Sequence, residues 1–551
     1  MINIIREKIF ESIKAQGLKP PAKSKINVEY PKLQKFGDYS SNVALSLAKK
    51  YKKKPMLLAR KIAQNISMDA LFKSVSAEKP GFVNFQISRM HLMKFLPKIV
   101  EQEDKFGSDM EKGKGKKILL EFVSANPTGP LNIVNARAAS VGDSLANILS
   151  FLGYKVEKEF LINDAGNQVD LLIKSIEFEL NILGHREIEE FEGRYLGDYV
   201  QKLAKKFLSE ETILVFQVPY KERLQKLREF ALNEIISNQR FTLKLFNVCF
   251  DNWISEQELR DRGCIEDALT YLAETENTYD KDGAVWFCSS KFGDEKDRVI
   301  MKTDGGITYL VPDLAYHITK YKRGYHKIID IFGPDHHGYT PRLKAGIAAL
   351  GFNPKLLSFI LLQQVSLIYE NEKVKMSKRR GKIITLQQLI DEVGTDVARF
   401  FFLMRKLNTP LDFDIHLAKE KSNENPVYYV QYAHARICSI LQNANKKRLR
   451  LRSFRPRYLN RLRFEEELDI IRHLYKFPEL ILHIGKNYDL NLMTKYLTDL
   501  AALFHSYYQK VRIISPKTKE LSLARLFLCK TIKITIHNGL NLLGVSAPKK
   551  M

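Results

Sequence analysis

Ile118-Leu119-Leu120-Glu121-Phe122-Val123-Ser124-Ala125-Asn126-Pro127-Thr128-Gly129-Pro130 decides how this chain folds. Its first six residues form a largely apolar run with the length and branching of a buried strand. Ser124 to Pro130 is a Pro/Gly loop that continues neither strand nor helix. After the loop, Val134, Ala138, Val141, Leu145, Ile148, Leu149 and Leu152 recur at three- and four-residue spacing, predicting a helix over 132–152 that Gly153 stops. A second strand over Lys155–Ile162 completes a right-handed βαβ unit. The helix N-terminus of such a unit points backbone N–H groups and a positive dipole end above the sheet, a place that suits a nucleotide phosphate.

The whole chain sets wider bounds. At 551 residues, about three domains are expected. The formal charge of +25 implies a polyanionic partner, with a general solubility effect as the bland alternative. Five cysteines (Cys249, Cys264, Cys288, Cys438, Cys529) form no Cys-x-x-Cys pair, so neither a zinc ribbon nor a disulfide framework is indicated. The N-terminus lacks a secretory leader pattern, and no apolar run approaches the roughly 20 residues of a membrane span. A soluble, cytoplasmic protein with no membrane partner is expected.

Glu121 through Leu131 resembles the signature that runs into the nucleotide-binding helix of arginyl-tRNA synthetases, a class I aminoacyl-tRNA synthetase family. The resemblance implies that Pro130, Leu131, Asn132, Val134 and Asn135 line the ATP site. One departure stands out: where the family carries His-x-Gly-His, this chain has Asn132-Ile133-Val134-Asn135. In the family those histidines bind ATP phosphates and stabilise developing charge, so Asn132 and Asn135 fall in catalytic positions. Asparagine keeps an N–H donor but cannot become cationic, and Val134 adds a branched side chain where glycine leaves room for adenine.

Taken in order, residues 1–112 read as an α+β module. Its Phe36-Gly37-Asp38-Tyr39-Ser40-Ser41-Asn42 turn resembles the family's N-terminal domain, which implies that Tyr39 and Asn42 contact the tRNA elbow; a packing domain without ligand is the alternative. A charged linker, 111–117, follows. Ile162-Asn163-Asp164-Ala165-Gly166-Asn167-Gln168 resembles a family loop near the active site, or is only an Asx turn at a strand end. Residues of about 170–290 are mostly helical by periodicity and read as a connective insertion in a catalytic domain spanning 113–415.

In the second half, Arg298–Met301 reads as a strand of the nucleotide fold, and Thr308 to Asp313 leads into a helix. The resemblance implies that Tyr309 and Asp313 contact the substrate arginine, with Glu121, Ser124, Asn126 and Asn132 as further contacts. A guanidinium offers five donors in a planar fork and needs carboxylates to receive them. An uncharged amino acid would leave two acids, Glu121 and Asp313, unpaired; a helix N-cap carboxylate is the plainer use of Asp313. Ile328 to Phe332 is a buried strand ending at Gly333-Pro334-Asp335-His336-His337-Gly338-Tyr339, with Thr340 as helix cap and Pro341 at the first position. Gly333 and Asp335 are expected at ATP, and His336 and His337 at arginine. A metal held by Asp335-His336-His337 is the minority reading, because three adjacent turn residues rarely converge on one ion, and no resident metal is expected.

Lys375-Met376-Ser377-Lys378 resembles the second class I signature, placed after a strand over 359–367 and before a helix capped by Thr385 with Gln388 three residues on. Lys375 and Lys378 are expected in catalysis, and Met376, Ser377 and Lys378 at ATP. Lys378 can supply some of the positive charge that Asn132 and Asn135 lack.

From His416 onward there are 25 Lys and Arg against 10 Asp and Glu. This region, 416–551, resembles the family's α-helical anticodon-binding domain, implying tRNA contacts at Tyr428, Tyr432, Arg436, Lys446, Lys447 and Arg448. Lys446 to Arg463 holds nine cations and no acid, interleaved with Phe454 and Tyr458, either to grip an RNA loop or as a solvated linker. The expected fold is therefore an α/β Rossmann-like catalytic domain with a parallel sheet, flanked by an α+β N-terminal domain and an all-α C-terminal domain. The expected function is ATP-dependent activation of L-arginine, after tRNA has bound, and transfer to the 2′-hydroxyl of its tRNA. ATP enters with Mg2+, no tightly bound cofactor is needed, and a monomer is expected. The rivals are a decayed synthetase that only binds tRNA, and a synthetase for another amino acid.

Overall fold

The computed structural model describes every residue except 32, 187–188, 212–215, 370–371, 375–383 and 516–517. Its centre is a five-stranded parallel sheet. β1 (Lys117–Glu121) leads through the Pro/Gly loop into α1 (Ile133–Phe151) and β2 (Lys155–Ile162). β3 is Asn252–Ser255, α2 is Leu310–Lys322, β4 is Lys327–Phe332, α3 is Thr340–Ala349 and β5 is Leu357–Leu361. The strand order is β5-β4-β1-β2-β3. The chain therefore runs outward from β1 in both directions, and the crevice between the carboxyl ends of β1 and β4 is a topological switch point.

α1 is the spine of the molecule, buried on nearly every side. Gly142 is needed there, because a Cβ would stand 2.2 Å from the Phe122 ring. Asp143, one residue on, takes Arg399 at 2.7 Å and Lys158 at 3.0 Å. Arg399 also donates to the carbonyls of Leu543 and Phe246, both at 3.0 Å, and so clamps the sheet domain to the C-terminal helices.

Three strand expectations need correction. Arg298–Met301 does not enter the parallel sheet; it pairs antiparallel with Ala284–Phe287 in a small sheet that also contains Thr278–Lys281. The insertion is not continuous, since Asn252–Ser255 returns from within it as β3, driven by Trp253 stacking on Phe160 at 4.3 Å. The single strand over 359–367 is two: β5 stops at Leu361, and Val365–Tyr369 joins a separate sheet with Glu372–Val374 and Leu411–Asp414. The α3 cap is also displaced by one residue, to Tyr339.

The N-terminal module, a helix Ile2–Ala15 with the antiparallel strands Tyr39–Ser41, Phe72–Glu78 and Phe82–Ile87, leans on the C-terminal helices. Tyr39, expected at the tRNA, is instead 1% exposed, and its hydroxyl donates to Glu479 at 2.9 Å. Asn42 is half-buried before the helix Val43–Tyr51. In the basic run, Phe454 stacks on Phe527 at 3.9 Å and is used for packing rather than for RNA bases. The nine cations around it, Lys446, Lys447 and Arg448 among them, are exposed. No helix among the described residues is long and apolar enough to cross a membrane.

Two histidines stitch the C-terminal helices. His434, on Pro426–Lys446, hydrogen-bonds the Pro548 carbonyl at 2.8 Å, and His473, on Glu465–Tyr475, hydrogen-bonds that of Tyr496 at 3.0 Å. Burial pushes both imidazoles down to about 4. The unfolded chain protonates them near 6.5, so it binds more protons than the fold between about pH 6.5 and 4, and stability must fall as pH falls through that window. Taking the protein from about pH 7 to about pH 5 is expected to lower its unfolding free energy by on the order of 1–2 kcal/mol per histidine. His473→Gln should flatten that slope in urea titrations; an unchanged slope would contradict the assignment.

Candidate active site

β1 ends abruptly. Val123 and Ser124 take φ of 72° and 37°, left-handed values that branched and ordinary residues rarely adopt, and they turn the chain out of the sheet. The turn is held by its own side chains: Ser124 Oγ donates to Glu121 Oε1 at 2.7 Å and accepts from the Leu161 N–H at 3.1 Å. Asn126 is fixed from the neighbouring loop, accepting from Asn163 at 3.0 Å and donating to Gln168 at 2.6 Å. Two residues of the helical insertion support the loop backbone, Tyr199 donating to Thr128 O at 2.9 Å and Gln239 to Gly129 O at 3.0 Å.

Asn132 caps α1. Its Oδ1 accepts from the N–H groups of Val134 and Asn135 at 2.9 and 3.2 Å, while Asn135 Oδ1 accepts from Asn132 N–H at 3.0 Å. This reciprocal box uses the oxygens and leaves both Nδ2 groups without a hydrogen-bond partner among the described residues. Asparagine thus does two jobs here, satisfying orphan helix donors and presenting amide donors at the positive dipole end. The Val134 side chain projects outward and is exposed. Pro130 and Leu131 precede the cap, and Leu131 O accepts from Leu386 N–H at 2.7 Å. Lys375, Met376, Ser377 and Lys378 lie outside the described residues. The chain that follows them bridges Thr385 to Asn132, and Thr385 and Gln388 form the expected capping box.

The acids sit on the other side of the crevice. Asp313, in the first turn of α2, accepts from the Tyr339 hydroxyl; burial raises its carboxyl above the ordinary range while that hydrogen bond lowers it. Beneath it runs a buried knot. The Lys320 ammonium is fully buried and donates to Glu121 Oε2 and, at 2.8 Å, to Asp330 Oδ1. His317 Nε2 meets Asp330 Oδ2 at 2.8 Å, and His317 Nδ1 meets the Asp313 carbonyl at 2.7 Å. Burial pushes Glu121 up, whereas for Asp330 burial is outweighed by Lys320 and His317, which hold it at about 2. Asp330, which faces both Lys320 and His317, is the carboxylate ionised more strongly.

Glu121 and Asp313 are therefore not both unpaired: Glu121 is paired with Lys320, and Asp313 is the acid without a cation partner among the described residues. Tyr309 caps α2 but is 86% exposed, with its ring turned to solvent. His336 packs 4.9 Å from Phe332 and edge-on to Tyr339. Gly333 opens the turn after β4, and Asp335 and His337 are exposed with no side-chain hydrogen bond among the described residues. Lys320, His317, Asp330 and Tyr339 were missed by motif reading. A signal existed, because Asp330 is a lone charge in Ile328-Ile329-Asp330-Ile331 and a buried strand charge requires a partner. In the C-terminal helices, Tyr428 and Tyr432 stack with an interplanar angle of 8°, and Arg436 donates to the Tyr432 hydroxyl at 2.8 Å beside a groove that Tyr508 and Lys550 also line.

A parallel doubly wound sheet with a capped helix and convergent acids at its switch point is the class I synthetase arrangement, and residues 96–406 match the model for the class I (R) tRNA synthetase catalytic domain. Residues 3–87 match the arginyl-tRNA synthetase N-terminal domain, and 430–551 the DALR anticodon-binding domain. The chain belongs to the arginyl-tRNA synthetase family. It is 43% identical to an arginine–tRNA ligase of Anoxybacillus flavithermus, over 99% of this chain and 98% of the relative, and 41% identical to that of Bacillus subtilis, over 100% and 99%. The fold is that of the Thermus thermophilus arginyl-tRNA synthetase, with a TM-score of 0.77 at 20% identity and full coverage of both chains.

Asn132→Ala should remove the cap and cost about 1 kcal/mol of stability. Chemical denaturation checks this, and an unaltered midpoint would show that the box is not the role of Asn132.

Proposed function

We infer that the crevice activates L-arginine with ATP and passes it to the 2′-hydroxyl of the terminal adenosine of tRNA; the relatives are named arginine–tRNA ligase. The observation that carries the reading is Asp313, a half-buried acid at the crevice whose carboxyl meets, among the described residues, only the Tyr339 hydroxyl. A guanidinium supplies the charge and the donors it lacks. Glu121, Ser124 and Asn126 complete the arginine subsite: each carboxylate oxygen of Glu121 has a second lone pair beyond its internal bond. The α-amine and carboxylate of arginine fall to Ser124 and Asn126.

ATP, with Mg2+ as part of the substrate complex, lies over the N-terminus of α1. Its phosphates meet the amide donors of Asn132 and Asn135 and the dipole end. The arginine carboxylate attacks the α-phosphate and pyrophosphate leaves, in chemistry that rests on positioning and electrostatics. Lys375 and Lys378 follow the departing charge. The tRNA runs along the exposed cations of Lys446 to Arg463, with an unpaired base at Tyr428, Tyr432 and Arg436. A role in protein synthesis is consistent with a cytoplasmic enzyme, and the proposed acting form is a monomer.

Purified protein should show arginine- and tRNA-dependent ATP–pyrophosphate exchange; silence with tRNA binding intact would leave a tRNA binder instead. Asp313→Asn should raise KM for arginine by on the order of 10- to 100-fold, the scale of one lost charge-assisted bond, and an unchanged KM would remove Asp313 from the subsite. Lys378→Ala should slow activation by on the order of a hundredfold, and an indifferent variant would end its role as substitute for the missing histidines.

A further inference from the structure

We propose that Lys320 is a positioning residue that keeps Glu121 ionised and oriented at the arginine subsite. The proposal rests on the arginine reading of the crevice and deepens it. Lys320 does not face the crevice. It lies under it, with no exposed side-chain surface, joining the carboxyl end of β1 to the middle of β4 through one ammonium group.

The groups that face this ammonium come from every element around it. β1 gives Glu121 and β4 gives Asp330. β2 gives Glu159, which is itself satisfied by the Tyr316 hydroxyl at 2.7 Å and by Arg323 Nη2 at 2.8 Å. α2 supplies His317, spent on Asp330, and the Tyr316 ring, whose centroid lies 4.3 Å from the ammonium. Glu159 therefore has a cation without Lys320, and Asp330 keeps a donor in His317. Glu121 would keep, among the described residues, only the Ser124 hydroxyl.

The consequence is electrostatic. Two buried carboxylates that share a lysine become, without it, two like charges in a low-dielectric interior, and such a pair holds a proton. The proton goes to Glu121, which keeps only a hydroxyl donor and whose carboxyl burial already pushes upward, whereas Asp330 keeps His317, which holds its carboxyl down. A protonated Glu121 offers a guanidinium no charge. Its freed carboxyl also loses the tether on Oε2 that sets the direction of Oε1 toward Ser124.

The test is binding of L-arginine to the full-length protein by titration calorimetry between about pH 6.5 and pH 8.5. The wild-type affinity should be flat across this range. Lys320→Met should bind arginine at least about tenfold more weakly near pH 7 and recover as pH rises, because Glu121 regains its charge as it deprotonates. Asp330→Asn, which leaves Lys320 to Glu121, should keep the flat profile. Glu121→Gln should show the neutral-pH loss with no recovery, and it serves if Lys320→Met does not fold. Flat, uniformly weakened binding by Lys320→Met, or wild-type affinity in Glu121→Gln, would overturn the positioning role while leaving the arginine reading intact. Absence of arginine binding by the wild type would overturn that reading instead.

Discussion

One buried ammonium group ties this catalytic domain together. Lys320 reaches from α2 to Glu121 at the end of β1 and to Asp330 inside β4, the two strands that flank the switch point. A cation fully removed from water is tolerated only with its charge matched, and losing one member of such a set typically costs about 3–5 kcal/mol. The carboxylates are therefore fixed by the lysine as much as it is by them. His317 extends the same network to the Asp313 backbone, so the acid proposed to meet the substrate is braced from below.

The opposite wall is built on backbone dipoles instead of ions. The family's histidines combine donor and cation, whereas Asn132 and Asn135 spend their oxygens on capping α1 and keep amide donors at its positive end, where the nucleotide is proposed to lie. The full-length identity to arginine–tRNA ligases argues against decay of this site, and the cap gives the asparagines a physical reason to persist. Because Thr385 bridges Asn132, the chain that follows the second signature is anchored to the first.

Much of this was legible from residues alone. The β1–α1–β2 unit follows from apolar spacing and a Pro/Gly loop, and the structure gives α1 and β2 nearly the predicted limits. The Thr385 box was readable because its partner lies three residues away. Long-range pairing was not: that Asn252–Ser255 completes the parallel sheet and Arg298–Met301 does not depends on partners more than ten residues distant, which periodicity cannot name. Tyr39 misled for a related reason. A tyrosine in a Gly-Asp turn reads as a surface contact until Glu479, some 440 residues on, is seen to accept its hydroxyl. Lys320 was invisible as a motif, because a lysine on a helix is ordinarily solvated and only its neighbours show that it is not.

The crevice is proposed to select a cation through Asp313, held over the floor that Lys320 ties together. The most direct measurement is activation of arginine against citrulline, nearly the same shape without the charge. A half-buried acid left without its cation should make citrulline slower by on the order of a thousandfold or more in kcat/KM. Comparable rates for the two would contradict the account, because they would show that shape and not charge fills the subsite.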